Sequence, residues 1–127
     1  RYESHVVNSA AQALNLLAGL DGEQMKVLLD YYHMNIEEAD LPAAIEACGN
    51  QLGLFHIADS NRRGIGLGHT DFGPVFDALT TINYTGPVIL EMSAPGPNPF
   101  TPVKDGDYLQ QLEQDLSDSL QWIRNHR

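Results

Sequence analysis

Hydrophobic residues follow two alternating patterns along this 127-residue chain. The stretches MKVLLD, LGLFHIAD and PVILEM are almost continuously apolar, and they recur about every 30 residues. Each predicts a buried strand, because consecutive apolar positions face both sides of a sheet and both faces must then be covered. The segments around them place apolar residues at helical spacing instead.

Four amphipathic helices are predicted around these three strands. The first covers SAAQALNLLAGL, and the second begins at an Asp40 cap and ends at Gly49. The third has an apolar face around Phe76, and the last repeats leucines at helical spacing from Leu109 to Leu120. Strands and helices in alternation predict a parallel α/β sheet, either doubly wound or part of a (β/α) barrel.

Composition excludes several classes of partner. The net charge of −10, from 17 acidic residues against 7 Lys and Arg, repels phosphate backbones, so we expect no nucleic-acid partner. No apolar run approaches the roughly 18 residues that cross a bilayer, so we expect no membrane contact. With a single cysteine and no signal-peptide pattern at the start, we predict a cytoplasmic protein.

A polar side chain stands near the carboxyl end of each predicted strand: Asp30, His56 and Glu91. In parallel α/β folds this edge carries the functional sites. Two carboxylates and an imidazole suit Mn²⁺, Co²⁺ or Mg²⁺, and Zn²⁺ is also compatible. Each residue alone has a structural interpretation, since an aspartate caps turns and a lone strand histidine is commonly a core residue. Their recurrence on three successive strands favours a metal site.

The loop SNRRGIGLGHTD follows the second strand. Its glycine spacing matches neither the dinucleotide fingerprint nor the P-loop, so a flexible loop over the site is favoured over a phosphate cradle. Arg62 and Arg63 within it are candidates to grip an anionic or polyhydroxy substrate, or else they are solvated surface charges.

The segments RYESHVVN, KVLLDYYHMNIEE, FHIADSNRRGIGLGH and VILEM, in this order, resemble the sugar isomerases and epimerases with xylose-isomerase-like TIM barrels. The nearest branch is the ketose 3-epimerases, which act on tagatose, psicose and ribulose. The resemblance implies that the chain is the C-terminal portion of a single (β/α)8 barrel domain, with three parallel strands and four helices visible. It also implies a small-molecule sugar substrate.

The resemblance assigns roles position by position. It implies that Asp30, His56 and Glu91 bind a divalent metal ion, with Mn²⁺ expected first, and that Glu91 is also a catalytic base. It implies that three further residues hold the substrate oxygens: Glu3, His33 and Arg62. A second catalytic glutamate of the family falls six residues before the position of Glu3, ahead of Arg1. The implied reaction removes the proton beside a ketose carbonyl, forms an enediolate and returns a proton to the opposite face.

Two departures from the family pattern affect the expected substrate. Ala58-Asp59 stands where these epimerases usually have Gly-Glu, and Met92-Ser93 stands where they have Pro-Phe. A modified or larger sugar derivative is therefore a further candidate.

Alternative functions are a dehydratase or a hydroxypyruvate-type isomerase of the same barrel. A non-catalytic, metal-binding fragment is another alternative, and the acidic charge disfavours a related endonuclease. Because half a barrel has two unpaired edges, we expect the chain alone to form homo-oligomers. Because the second catalytic glutamate falls ahead of Arg1, we expect the chain alone to be inactive.

Overall fold

The computed structural model describes residues 5–20, 23–94, 104 and 106–126. Over this part of the chain, three strands alternate with five α-helices and one short 3₁₀ turn at Gly49–Gln51. The strands are β1 (Val27–Asp30), β2 (Leu52–Ile57) and β3 (Val88–Leu90). The helices are α1 (Ala10–Leu17), α2 (Tyr31–Glu37), α3 (Leu41–Cys48), α4 (Gly73–Thr81) and α5 (Tyr108–His126).

The caps of the predicted helices lie where the sequence places them. Ser9 and Gln12 form a reciprocal capping box at the start of α1. The Asp40 carboxylate accepts a hydrogen bond from Ala43 N at 3.0 Å, and Gly49 ends α3 with a positive φ of 49°. The element order confirms all three predicted strands and all four predicted helices.

Helix α2 is an element that the hydrophobic pattern does not predict. It begins directly after β1, and Asp30 caps it by accepting a hydrogen bond from Tyr32 N at 3.0 Å. Its seven residues bury only Tyr31 and Met34, so the apolar repeat is too short to stand out from the sequence. The helix matters because it fixes Tyr32 and His33 beside the end of β1.

The sheet is parallel with the strand order β1-β2-β3, as expected for successive βα units. In the register of the sheet, Asp30 lies beside His56, and His56 lies beside Ile89. Glu91 follows β3 two residues after Ile89, so it belongs to the same face. The register therefore brings the three strand-end polar residues to one corner of one face.

The two faces of the sheet differ in burial. The helices cover one face, where Phe55 and Ile57 are fully buried among the side chains of α3 and α4. On the other face, Leu28 is 49% exposed and Ile89 is 43% exposed. Among the described residues, the face that carries the polar cluster is therefore the more exposed of the two. None of the described helices is long and apolar enough to cross a membrane.

Candidate metal and substrate site

Asp30, His56 and Glu91 form a cluster at the carboxyl edge of the sheet. Each offers one ligand atom, and these atoms lie within 4.8 Å of one another. His56 Nδ1 is 2.5 Å from Glu91 Oε2 and 4.0 Å from Asp30 Oδ2. Asp30 therefore caps a helix with one oxygen while also facing the cluster, so both of its sequence-based interpretations apply.

Arg62 joins the two carboxylates of this cluster. Its Nη1 donates to Asp30 Oδ1 and Oδ2 at 3.1 and 3.0 Å, and its Nη2 lies 2.8 Å from Glu91 Oε1. The guanidinium carbon stacks 4.7 Å from the centroid of the Tyr32 ring. Arg62 therefore lies against the cluster. Tyr32 is a contact that sequence reasoning missed, because helix α2 was not predicted.

The environment moves the pKa values of the two carboxylic acids apart. Burial raises the pKa of Asp30, the Arg62 charge opposes this, and a hydrogen bond with Glu91 raises it further. Partial burial by itself would raise the pKa of Glu91 as well. Hydrogen bonds from Asp30 and His56 and the charge of Arg62 outweigh that effect, so the pKa of Glu91 lies below its ordinary value. Glu91 is consequently ionised at neutral pH.

Of the remaining two predicted site residues, His33 and Glu3, the structure describes only His33. His33 Nε2 lies 3.9 Å from Asp30 Oδ2, so this imidazole is at the rim of the cluster. Its ring meets the Tyr32 ring edge to face at 5.3 Å between centroids. Glu3 lies outside the described residues.

The donor set fits a divalent cation. Two carboxylates and one imidazole from three rigid strand ends provide hard oxygen ligands and one nitrogen ligand. The Glu91 side chain is 46% exposed and the Asp30 side chain only 11%, so the cluster is open on the glutamate side. Arg62 balances part of the negative charge that a bound cation would neutralise.

The glycine-rich loop after β2 is held in place rather than free. The buried Asp59 carboxylate accepts hydrogen bonds from the backbone N–H groups of Ser60, Gly66 and Thr70 at 2.7, 2.9 and 3.1 Å. This structure corrects the expectation of a flexible loop. It also separates the two arginines, since Arg63 points away from the cluster and pairs with Asp115.

Residues 1–126 match the family of xylose isomerase-like TIM barrels. The chain belongs to this family. Its curated relatives include the D-psicose 3-epimerase of Agrobacterium fabrum, which is 44% identical over 91 residues, or 72% of this chain and 32% of that protein. The 3-dehydro-D-guloside 4-epimerase of Escherichia coli is 34% identical over 124 residues, or 98% of this chain and 42% of that protein. The chain thus spans less than half the length of these relatives.

Solved structures give the same fold. A D-psicose 3-epimerase from Clostridium cellulolyticum H10, crystallised with D-tagatose, superimposes with a TM-score of 0.86 at 27% sequence identity. The superposition covers 98% of this chain and 46% of that structure. The three parallel strands and their helices therefore form part of a TIM barrel, as the sequence predicts. Within the barrel, the polar cluster lies at the carboxyl edge of the strands, where sites of this fold are built.

Proposed function

We propose that this chain is the C-terminal portion of a metal-dependent sugar epimerase that acts on a ketose or a keto-sugar derivative. The observation that carries the proposal is the convergence of Asp30, His56 and Glu91 within 4.8 Å, with the Arg62 guanidinium against both carboxylates. The family relatives that are curated sugar epimerases support the reaction class.

Asp30, His56 and Glu91 are the residues that would hold the ion. Mn²⁺ is the ion we expect first, with Co²⁺ or Mg²⁺ as alternatives. A divalent ion at this place supplies polarisation of a carbonyl and its neighbouring hydroxyl, which acidifies the carbon-bound proton between them.

Glu91 is the proposed base for that proton. Its pKa is lowered, so it is ionised and able to accept a proton, and its side chain is the most exposed of the three. Arg62 presents N–H donors on the same side and is suited to hold a substrate oxygen, with Tyr32 stacked behind it. His33 at the rim is suited to the same task, and Glu3 is proposed to contribute as well.

Inversion at carbon needs a second proton donor on the opposite face of the planar intermediate. Among the described residues, the carboxylates that group with His56 are those of Asp30 and Glu91, and Asp30 lies on the same side as Glu91, joined to it by Arg62. We therefore place that acid in the other half of the barrel. Without it, the 127-residue chain alone is expected to have no epimerase activity.

A keto-glycoside is the second candidate for the substrate. The 4-epimerase of Escherichia coli aligns with 98% of this chain, whereas the 3-epimerase of Agrobacterium fabrum aligns with 72% at higher identity. Ala58-Asp59 and Met92-Ser93 depart from the usual 3-epimerase pattern, and they directly follow Ile57 at the end of β2 and the cluster residue Glu91 after β3. Such changes beside the site are consistent with a different sugar derivative.

One screen tests both candidates. The full-length gene product that contains this chain is loaded with Mn²⁺ and incubated with a panel of free ketoses and keto-glycosides, and epimers are detected by chromatography. Exchange of the carbon-bound proton with deuterated water reports proton abstraction separately. Epimer formation together with deuterium uptake supports the proposal, whereas the absence of both across the panel would refute it.

A further inference from the structure

Two adjacent arginines leave the loop after β2 in different directions. Arg62 reaches the carboxylates of the cluster, with its Nη2 2.8 Å from Glu91 Oε1. Arg63 turns to helix α5, where its Nη2 lies 2.8 Å from Asp115 Oδ2. The ion pair of Arg63 is not used by the proposed chemistry.

The Arg63–Asp115 contact has the geometry of a strong, specific pair. Asp115 is 2% exposed, and both of its oxygens accept from Arg63. Arg63 Nε adds a third contact at 3.2 Å, so the guanidinium meets the carboxylate as a fork. Gln111 donates to Asp115 Oδ1 at 2.7 Å and so completes the shell of the carboxylate.

The loop backbone is joined to α5 at the same place. Ser119 Oγ accepts from Ile65 N at 2.9 Å and donates to Asp115 O at 2.6 Å. A Cβ atom on Gly64 would lie 2.6 Å from Ser119 Oγ and 2.8 Å from Asp115 O, so only glycine permits this approach. The loop therefore cannot shift toward or away from α5 without breaking these contacts.

Arg62 depends on this anchoring because its backbone is in the left-handed region, with φ of 62°. That conformation is unfavourable for a residue with a side chain and persists only where neighbours hold it. Arg62 N donates to Asp59 O at 2.8 Å, Ser93 N donates to Arg62 O at 2.8 Å, and Asp59 N donates to Arg63 O at 2.9 Å. The backbone of Arg63 is thus part of the turn that aims Arg62.

We propose that Asp115 is a positioning residue: through its fork with Arg63 it fixes the turn that directs the Arg62 guanidinium into the site. The proposal rests on the proposed function in one respect, which is that Arg62 binds a sugar oxygen. Asp115 itself touches neither the cluster nor that oxygen. It acts from helix α5 through its contact with Arg63.

The test compares Asp115→Asn with Asp118→Asn in the full-length gene product. Asp118 is a matched control, because it is on the same helix and accepts from Gln114 at 2.9 Å, as Asp115 does from Gln111, but is exposed. Asp115→Asn should raise KM for the sugar about tenfold, the effect of weakening one charge-assisted hydrogen bond, while kcat changes less than twofold. Asp118→Asn should leave both constants within twofold of the wild type.

A crystal structure of metal-free Asp115→Asn gives a readout that is independent of activity. The Arg62–Glu91 distance should lengthen beyond hydrogen-bond range, whereas it should stay near 2.8 Å in Asp118→Asn. An unchanged Arg62 together with an unchanged KM would overturn the proposal. If the wild type has no epimerase activity, the proposed function fails, and the Arg62–Glu91 distance still decides the positioning role.

A double-mutant cycle checks that Asp115 acts through Arg63. The KM of the variant with both Arg63→Gln and Asp115→Asn should equal that of Arg63→Gln alone. If the fold increases in KM of the two single variants multiply instead, Asp115 does not act through Arg63 and the proposal is overturned. If Asp115→Asn does not fold, Arg63→Lys replaces it, because lysine keeps the charge and loses the fork. Arg63→Lys should then raise KM severalfold, and a KM equal to that of the wild type would overturn the proposal.

Discussion

Asp59→Asn is the substitution by which the structure can be tested most directly. Asp59 is fully buried, and its carboxylate accepts three backbone hydrogen bonds from the loop that carries Arg62. Asparagine has nearly the same shape but only one acceptor oxygen and no charge. If the carbonyl oxygen keeps the Ser60 and Thr70 contacts, the new amide group faces Gly66 N–H, donor against donor.

The expected loss follows from these contacts. One hydrogen bond to a charged acceptor contributes about 1.5–3 kcal/mol, and leaving Gly66 N–H unpaired in a buried place adds to the cost. The other two bonds lose their charge assistance but remain. We therefore expect Asp59→Asn to lower the free energy of unfolding by about 3 kcal/mol at neutral pH.

The difference in the free energy of unfolding between the wild type and Asp59→Asn should depend on pH. Burial by itself would raise the pKa of Asp59, but the backbone N–H groups of the loop outweigh it and lower the pKa below its ordinary value. A carboxylic acid with a lowered folded-state pKa stabilises the fold above its unfolded pKa of about 3.9 and loses this contribution as the pH falls through the folded value. The asparagine side chain of the variant does not titrate. The stability difference between the wild type and the variant should therefore be constant above about pH 5 and should become smaller below about pH 4.

Urea unfolding of the full-length gene product, followed by circular dichroism, measures this difference in the free energy of unfolding. Asp71→Asn is the control, because Asp71 is exposed and accepts from a single backbone group, Gly73 N, at 3.1 Å. The asparagine side-chain oxygen can accept the same hydrogen bond from Gly73 N, and the site is exposed, so the effect should stay within about 0.5 kcal/mol. An Asp59→Asn variant that is no less stable than Asp71→Asn would refute the reasoning.

Three further outcomes are expected. Glu91→Gln should remove nearly all turnover in the full-length gene product, because it takes away both a metal ligand and the base; near-normal kcat would reject both roles. Arg62→Ala should raise KM by about tenfold or more while the metal content stays near that of the wild type, as measured by elemental analysis. The 127-residue chain alone should sediment as an oligomer, because Leu28 and Ile89 expose an apolar sheet face and both outer strand edges lack a partner among the described residues. A stable monomer at micromolar concentration would contradict this, and epimerase activity of that chain would contradict the placement of the second acid.

Much of the fold follows from the sequence because its signals are local. Apolar runs identify β1, β2 and β3, and helical spacing with a cap at Asp40 identifies α3. The convergence of Asp30, His56 and Glu91 is also predictable, since parallel strands place their carboxyl ends at one edge. The hydrophobic pattern does not predict helix α2, because seven residues with two buried side chains show too little helical periodicity.

Only the tertiary structure decided how the polar groups pair. The local pattern does not distinguish Arg62 from Arg63, and only the family resemblance singles out Arg62. In the structure Arg62 contacts Asp30 and Glu91, whereas Arg63 contacts Asp115, 52 residues away. The burial of Asp59 and the exposure of Leu28 are equally invisible to periodicity, which does not say which layer covers a face. A polar pair across such a distance forms only when packing brings two elements together. Its partners are therefore set by the geometry of the whole fold and not by the residues around them.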